Sequence, residues 1–132
     1  MTSDLLFVYG TLMRGYAHPM ARLLSANADF LGPASCQGQL YKVKHYPGLV
    51  LSGDAADIAY GELYRLHAVD DMLREFDMYE ACGAGFPEPT QYLRQTLPVT
   101  LSDGTTREAW TYVYNWPVAH LSRIESGRFL QQ

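Results

Sequence analysis

Leu5-Leu6-Phe7-Val8-Tyr9 is an unbroken apolar run that stops at Gly10. Neighbouring side chains of a strand point to opposite sides, so neither side of this run suits water. It reads as a strand buried on both faces, and the rest of the chain must supply a layer for each. The material is there. Of 132 residues 48% are apolar, and ten Tyr, five Phe and two Trp add bulk for a core without disulfides or a structural metal. That suits one domain spanning 1–132 and is too little for two ordinary ones.

Charge and cysteine content narrow the partners. Ten Lys plus Arg stand against 14 Asp plus Glu, for a net charge of -4. The only lysines are Lys42 and Lys44 and the arginines are scattered, so no basic stripe can follow a phosphate backbone. Nucleic acid is not expected as a partner. The Leu5–Tyr9 run is strand-sized and follows no basic segment, so neither a signal peptide nor a membrane span is expected. Cys36 and Cys82 are isolated from each other and from any histidine at metal-ligand spacing. Such thiols suit a reducing cytoplasm, and no metal or cofactor motif is found.

The remaining elements follow from patterning. Residues 38–43, 59–66, 91–101 and 107–114 read as strands, the last two joined across Ser102-Asp103-Gly104, a hairpin-turn signal. On the last of these, Trp110, Tyr112 and Tyr114 alternate with Ala109, Thr111 and Val113. One helix is expected after Pro19, with Met20, Leu23, Leu24 and Asn27 at helical spacing. A second is expected over residues 69–80. The class is α+β: a curled sheet or small barrel with flanking helices.

Two places can carry chemistry. After the first strand, Tyr9-Gly10-Thr11-Leu12-Met13-Arg14-Gly15 can turn its amides toward an anion, although the same residues also suit an ordinary strand-ending turn. No Gly-Lys-Ser/Thr follows, so it is not a phosphate loop. In the second helix, Val69, Met72, Leu73 and Phe76 form an apolar stripe. At about 100° per residue Glu80 falls near the middle of that stripe and Asp77 on its edge. A carboxylate aimed inward at a helix C-terminus meets the negative end of the helix dipole and loses water. Both effects raise its pKa toward the range of a general acid/base. The competing outcome ends the helix at Tyr79 and turns Glu80 into water.

The residues that follow are less telling. The loop Ala81-Cys82-Gly83-Ala84-Gly85-Phe86-Pro87-Glu88-Pro89 is expected to wall a pocket beside Glu80. Tyr92 and Arg94 come next on one face of a strand. The spacing of Cys36, Cys82 and the histidines supports no thiol dyad, and both thiols read as structural. His67 reads as a surface or capping residue.

The ordered set Val8-Tyr9-Gly10-Thr11-Leu12, Gly38-Gln39-Leu40-Tyr41, Tyr46-Pro47-Gly48-Leu49-Val50, Gly61-Glu62-Leu63-Tyr64, Phe76-Asp77-Met78-Tyr79-Glu80 and Tyr92-Leu93-Arg94 resembles the γ-glutamylcyclotransferase-like superfamily, which includes the AIG2-like proteins. The resemblance covers residues 7 to about 115. It implies a small mixed barrel with a pocket at one end. It implies that Tyr9, Gly10, Thr11 and Leu12 bind the amino-acid end of a γ-glutamyl group, largely through backbone. It carries the catalytic acid/base onto Glu80 and a pocket role onto Tyr92.

The implied reaction is closure of a γ-glutamyl amide to 5-oxoproline with release of the free amine. The substrate is then a small γ-glutamyl molecule, and no metal or nucleotide is needed. The alternative is a non-catalytic module that holds a small amino-acid-like ligand on the same fold. A third possibility, an amide hydrolase, would release glutamate instead.

Overall fold

The computed structural model describes residues 3–14, 17–83 and 85–131. Every residue of β1 (Leu5–Val8) is buried, as the apolar run requires. It pairs antiparallel with β5 (Ile58–Leu66) and parallel with β7 (Thr106–Tyr114). β2 (Ala28–Gln37) lies between β5 and β6 (Tyr92–Leu101), and β6 pairs with β7. The sheet thereby closes into a barrel of order β1-β5-β2-β6-β7. A second sheet, of order β4-β3-β8, is built from β3 (Gln39–Lys42), β4 (Pro47–Val50) and β8 (Ser122–Ile124).

Two α-helices flank the barrel. α1 (Pro19–Ala26) starts with Pro at its first turn, and His18 accepts the Met20 N–H as its cap. α2 (Val69–Tyr79) has Asp70 and Asp71 in its first turn, where the helix dipole favours acids. Its buried residues are Met72, Leu73 and Phe76. Complete burial of Phe76 is worth about 1.5–3 kcal/mol. Among the described residues no helix is long and apolar enough to cross a membrane.

The two faces of β1 meet different layers. Leu6 and Val8 join a cluster that includes Leu24 of α1 and Met72, Leu73 and Phe76 of α2. Leu5, Phe7 and Tyr9 join a second cluster with Cys36, Leu40, Leu49, Leu63, Val99 and Phe129. On β7 the expected alternation holds: Tyr112 and Tyr114 belong to the helix side and Ala109 to the other.

Three strands were not expected from patterning: β2, β4 and β8. β2 contains Gly32-Pro33 and β4 begins Pro47-Gly48, which are turn dipeptides by local chemistry. In β2 the pair sits at a register shift against β5, with Gly32 at φ 132°. In β4 a Cβ on Gly48 would lie 2.7 Å from the Tyr114 ring, so close packing explains the glycine. The Asp-Gly hairpin between β6 and β7 forms as expected, with Gly104 at φ 88° and the Asp103 carboxylate accepting the Thr105 N–H.

Candidate active site

α2 ends at Tyr79, yet Glu80 does not turn away into water. The chain leaves the helix through a left-handed residue, Ala81, at φ 52°. The Ala81 N–H reaches the Met78 carbonyl and the Cys82 N–H reaches the Asp77 carbonyl. This paired closure of a helix end is usually built on glycine. It holds Glu80 as the helix C-cap, half-buried on the wall of a cavity of about 230 Å³.

Among the described residues no hydrogen bond or ion pair holds the Glu80 carboxyl. Burial alone pushes it from the ordinary 4.5 up to about 7. Its negative charge, when present, is felt by two buried tyrosines of the same cavity, Tyr9 and Tyr92. Burial first, and then that charge among other neighbours, pushes both phenols up. They remain protonated donors. Among the described lining residues there is no lysine or arginine.

The loop after β1 lines the same cavity as Glu80. Tyr9, Gly10, Thr11 and Leu12 all line it. The Tyr9 hydroxyl donates to the Tyr112 carbonyl and accepts the Leu49 N–H, tying β1 to β7 and β4. Gly10 has no positive φ. Its need is space, since a Cβ there would lie 2.6 Å from the Pro47 ring. The glycine thus marks a close approach between two parts of the cavity wall. The Met13 N–H bonds to the Gly10 carbonyl and closes the loop. Leu12 is buried in the helix-side cluster. Gly15 lies outside the described residues.

A further part of the wall comes from the turn before β4 and the start of β6. Tyr92 donates to the Pro47 carbonyl at 2.7 Å, and Gln91 Nε2 donates to the Tyr46 hydroxyl at 2.9 Å. His45, Tyr46, Gln91 and Tyr79 also line the cavity, and sequence patterning assigned them no role. Tyr46-Pro47-Gly48 was a visible motif, but only pairing of β4 with β3 and packing on β7 bring it here.

The loop after Glu80 departs from expectation. Among its described residues Ala81 alone lines this cavity. Cys82, Gly83 and Phe86 line a separate groove of about 470 Å³ with Asp77, Arg94 and Trp110. The reason is Asp77. Its carboxylate takes Arg94 Nε at 2.7 Å and Nη2 at 3.2 Å, accepts the Tyr112 hydroxyl at 2.7 Å, and lies near the Cys82 thiol. That cluster draws the loop to the other side of the helix end. Ala84 lies outside the described residues.

Cys36 and Cys82 are free and buried, and burial, joined at Cys82 by the neighbouring Asp77 carboxylate, pushes each thiol up to about 12. Neither lines the cavity. His67 is exposed, 2.9 Å from Asp29, and the α2 cap has no side-chain bond. Among the described residues no three His, Cys, Asp or Glu side chains group to hold a metal.

The model of one protein family, "Gamma-glutamyl cyclotransferase, AIG2-like", matches residues 6–131. The chain belongs to that family. The match runs past the expected limit near residue 115 and takes in β8 and the terminal turn, whose Phe129 is buried in the core. A γ-glutamylcyclotransferase family protein of Escherichia coli K12, YtfP, is 35% identical over 130 residues, covering 96% of both chains. The solution structure of E. coli YtfP superposes with a TM-score of 0.63 at 34% identity, again covering 96% of each chain. An AIG2-like protein of Mus musculus shares the fold at a TM-score of 0.70 and 24% identity, over 91% of this chain and 82% of that one. The γ-glutamyl cyclotransferase family thus accounts for the closed barrel.

Proposed function

We propose that this chain is a γ-glutamylcyclotransferase-type enzyme that converts a small γ-glutamyl amide into 5-oxoproline and a free amine. One observation carries the reading: a half-buried carboxyl without an ion partner, Glu80, lines the same cavity as the Tyr9–Leu12 loop.

The substrate brings its own nucleophile. Folding the γ-glutamyl group sets its α-amine against its γ-carbonyl in a five-membered closure, so positioning supplies much of the rate. The α-ammonium, of pKa about 8, first gives a proton to Glu80. The amine nitrogen then bonds to the γ-carbon, the carbonyl pair moves onto oxygen, and its return breaks the amide C–N bond. Glu80 returns that proton to the departing nitrogen. The second proton of the attacking nitrogen passes by way of the freed Glu80 carboxylate to the released amine or to solvent, so that 5-oxoproline leaves as the neutral lactam. Backbone N–H groups between Gly10 and Leu12 hold the α-carboxylate or the developing oxyanion. Tyr92, fixed on Pro47, shapes the pocket wall.

We place the reaction in a single domain, residues 1–132, and in the cytoplasm. Two free, buried thiols suit that reducing compartment.

The test is a panel of γ-glutamyl amides followed by mass spectrometry. The expected products are 5-oxoproline and the matching amine from at least one member. Release of glutamate would make the protein a hydrolase. Binding of 5-oxoproline with no turnover of any member would make it a binding module.

A further inference from the structure

Thr11 brings more than backbone to the cavity. Thr11 is buried, and its hydroxyl belongs to a row of polar groups that runs from the cavity to the half-buried start of α1. Thr11 Oγ1 lies 3.0 Å from the Tyr79 hydroxyl, and that hydroxyl lies 3.4 Å from His18 Nε2. At the far end His18 Nδ1 accepts the Met20 N–H at 3.1 Å, as the cap of α1. The His18 and Tyr79 rings also meet edge-on, with centroids 5.2 Å apart. The loop after β1, the end of α2 and the start of α1 each supply one member.

The fixed end of the row sets its direction. A backbone N–H only donates, so His18 Nδ1 carries the lone pair and, in the neutral ring, Nε2 carries the hydrogen. Nε2–H therefore points at the Tyr79 oxygen. The Tyr79 hydroxyl can then pass its own hydrogen to Thr11 Oγ1, and with that bond made the Thr11 hydrogen is left for the cavity that Thr11 lines. The long step at His18 is the weakest of the three. Successive hydrogen bonds polarise one another, which makes the last hydroxyl a better donor than an isolated one.

We propose that the Thr11 side chain donates a hydrogen bond to an oxygen of the bound γ-glutamyl group, with Tyr79 and His18 as positioning residues that aim it. The proposal rests on the cyclotransferase reading and adds a side-chain donor to a loop otherwise credited with backbone amides.

Two readouts test it. The first is the tautomer of His18 in the free protein, read by heteronuclear NMR, and it needs no substrate. Hydrogen on Nε2 is expected; hydrogen on Nδ1 reverses the row and overturns the proposal. The second is kinetics on the best amide of the panel. Thr11→Val should lower kcat/KM by about 10- to 100-fold, and Thr11→Ser should recover most of that loss. Tyr79→Phe and His18→Asn should each lose roughly 3- to 10-fold. Asn keeps a helix cap, so the thermal midpoint of His18→Asn should stay close to that of the parent. A loss in kcat puts the oxygen at the γ-carbonyl, and a rise in KM puts it at the α-carboxylate. Unchanged kcat/KM in Thr11→Val and Tyr79→Phe would overturn the proposal and leave the role of Glu80 standing. A parent that turns over no amide would overturn the enzyme reading instead. The donor is then judged by 5-oxoproline affinity in calorimetry, where a Thr11→Val value equal to that of the parent overturns it.

Discussion

Asp77 and Glu80 stand three positions apart at the end of one helix, both half-buried, and they meet opposite surroundings. Asp77 points to the groove of Cys82, Arg94 and Trp110, where a guanidinium and a phenol hydroxyl bond to its carboxylate. Glu80 points to the cavity of Tyr9, Thr11 and Tyr92, where burial raises its pKa to about 7. The difference teaches what a carboxylate needs for each task. A matched charge makes a clamp, and desolvation without a matched charge makes a proton carrier. Asp77 clamps the helix end to β6 and β7, which keeps Glu80 in place.

The largest expected effect breaks the pair at Glu80. Glu80→Gln keeps the shape and removes the proton acceptor, so turnover should fall by roughly 100-fold or more while 5-oxoproline still binds. Asp77→Asn should cost much less turnover. Steady-state kinetics on both variants decides, and equal losses would erase the distinction between the two carboxylates.

Next in size is the loop after β1, which lines the same cavity as Glu80. Gly10→Val would drive a side chain into Pro47 and part the two walls. Displacement of about 1 Å at a reacting centre costs up to ~100-fold, so kcat/KM should drop by roughly 10- to 100-fold. Calorimetry with 5-oxoproline on the folded variant should show the loss as weaker binding. Parent-like affinity would place the ligand elsewhere.

Stability should move in opposite directions at the two carboxylates. Asp77→Asn leaves Arg94 without its charge partner and should destabilise by about 1–3 kcal/mol. For Glu80 the folded pKa lies above the ordinary 4.5, so the folded state binds the proton more tightly. That contribution to stability is complete below about pH 4.5 and is lost as pH rises through about 7. Glu80→Gln should therefore be more stable than the parent at about pH 8, by up to ~3 kcal/mol. The advantage should fade toward about pH 4.5. Denaturant unfolding at several pH values reads both effects.

The smallest expected effects are those of the thiols. Cys36→Ser and Cys82→Ser should leave most of the activity intact, because neither side chain lines the cavity. A loss as large as that of Glu80→Gln in a folded variant would bring back a thiol nucleophile.

Much of this was legible in residue order. The run Leu5–Tyr9 announced a strand with two covered faces, and the α2 stripe aimed Glu80 inward. What patterning missed is also physical. Gly32-Pro33 and Pro47-Gly48 signal turns locally, and long-range pairing overrides them in β2 and β4. The wall made by Tyr46, Gln91 and Tyr92 depends on β4 reaching β7, which no local pattern contains. After Ala81 the loop brings Cys82 beside Asp77, which Arg94 holds by a contact across 17 positions. The inward turn of Glu80 past the helix end relied on a left-handed alanine, for which sequence offers no signal.

The most direct test of the central claim is a titration of the Glu80 carboxyl carbon by NMR, with the pH dependence of kcat/KM measured alongside. The account predicts a midpoint near 7 for the carboxyl, absent in Glu80→Gln, and kcat/KM rising with pH through the same midpoint as the base is freed. A midpoint near the ordinary 4.5, or a rate limb indifferent to Glu80→Gln, would contradict it.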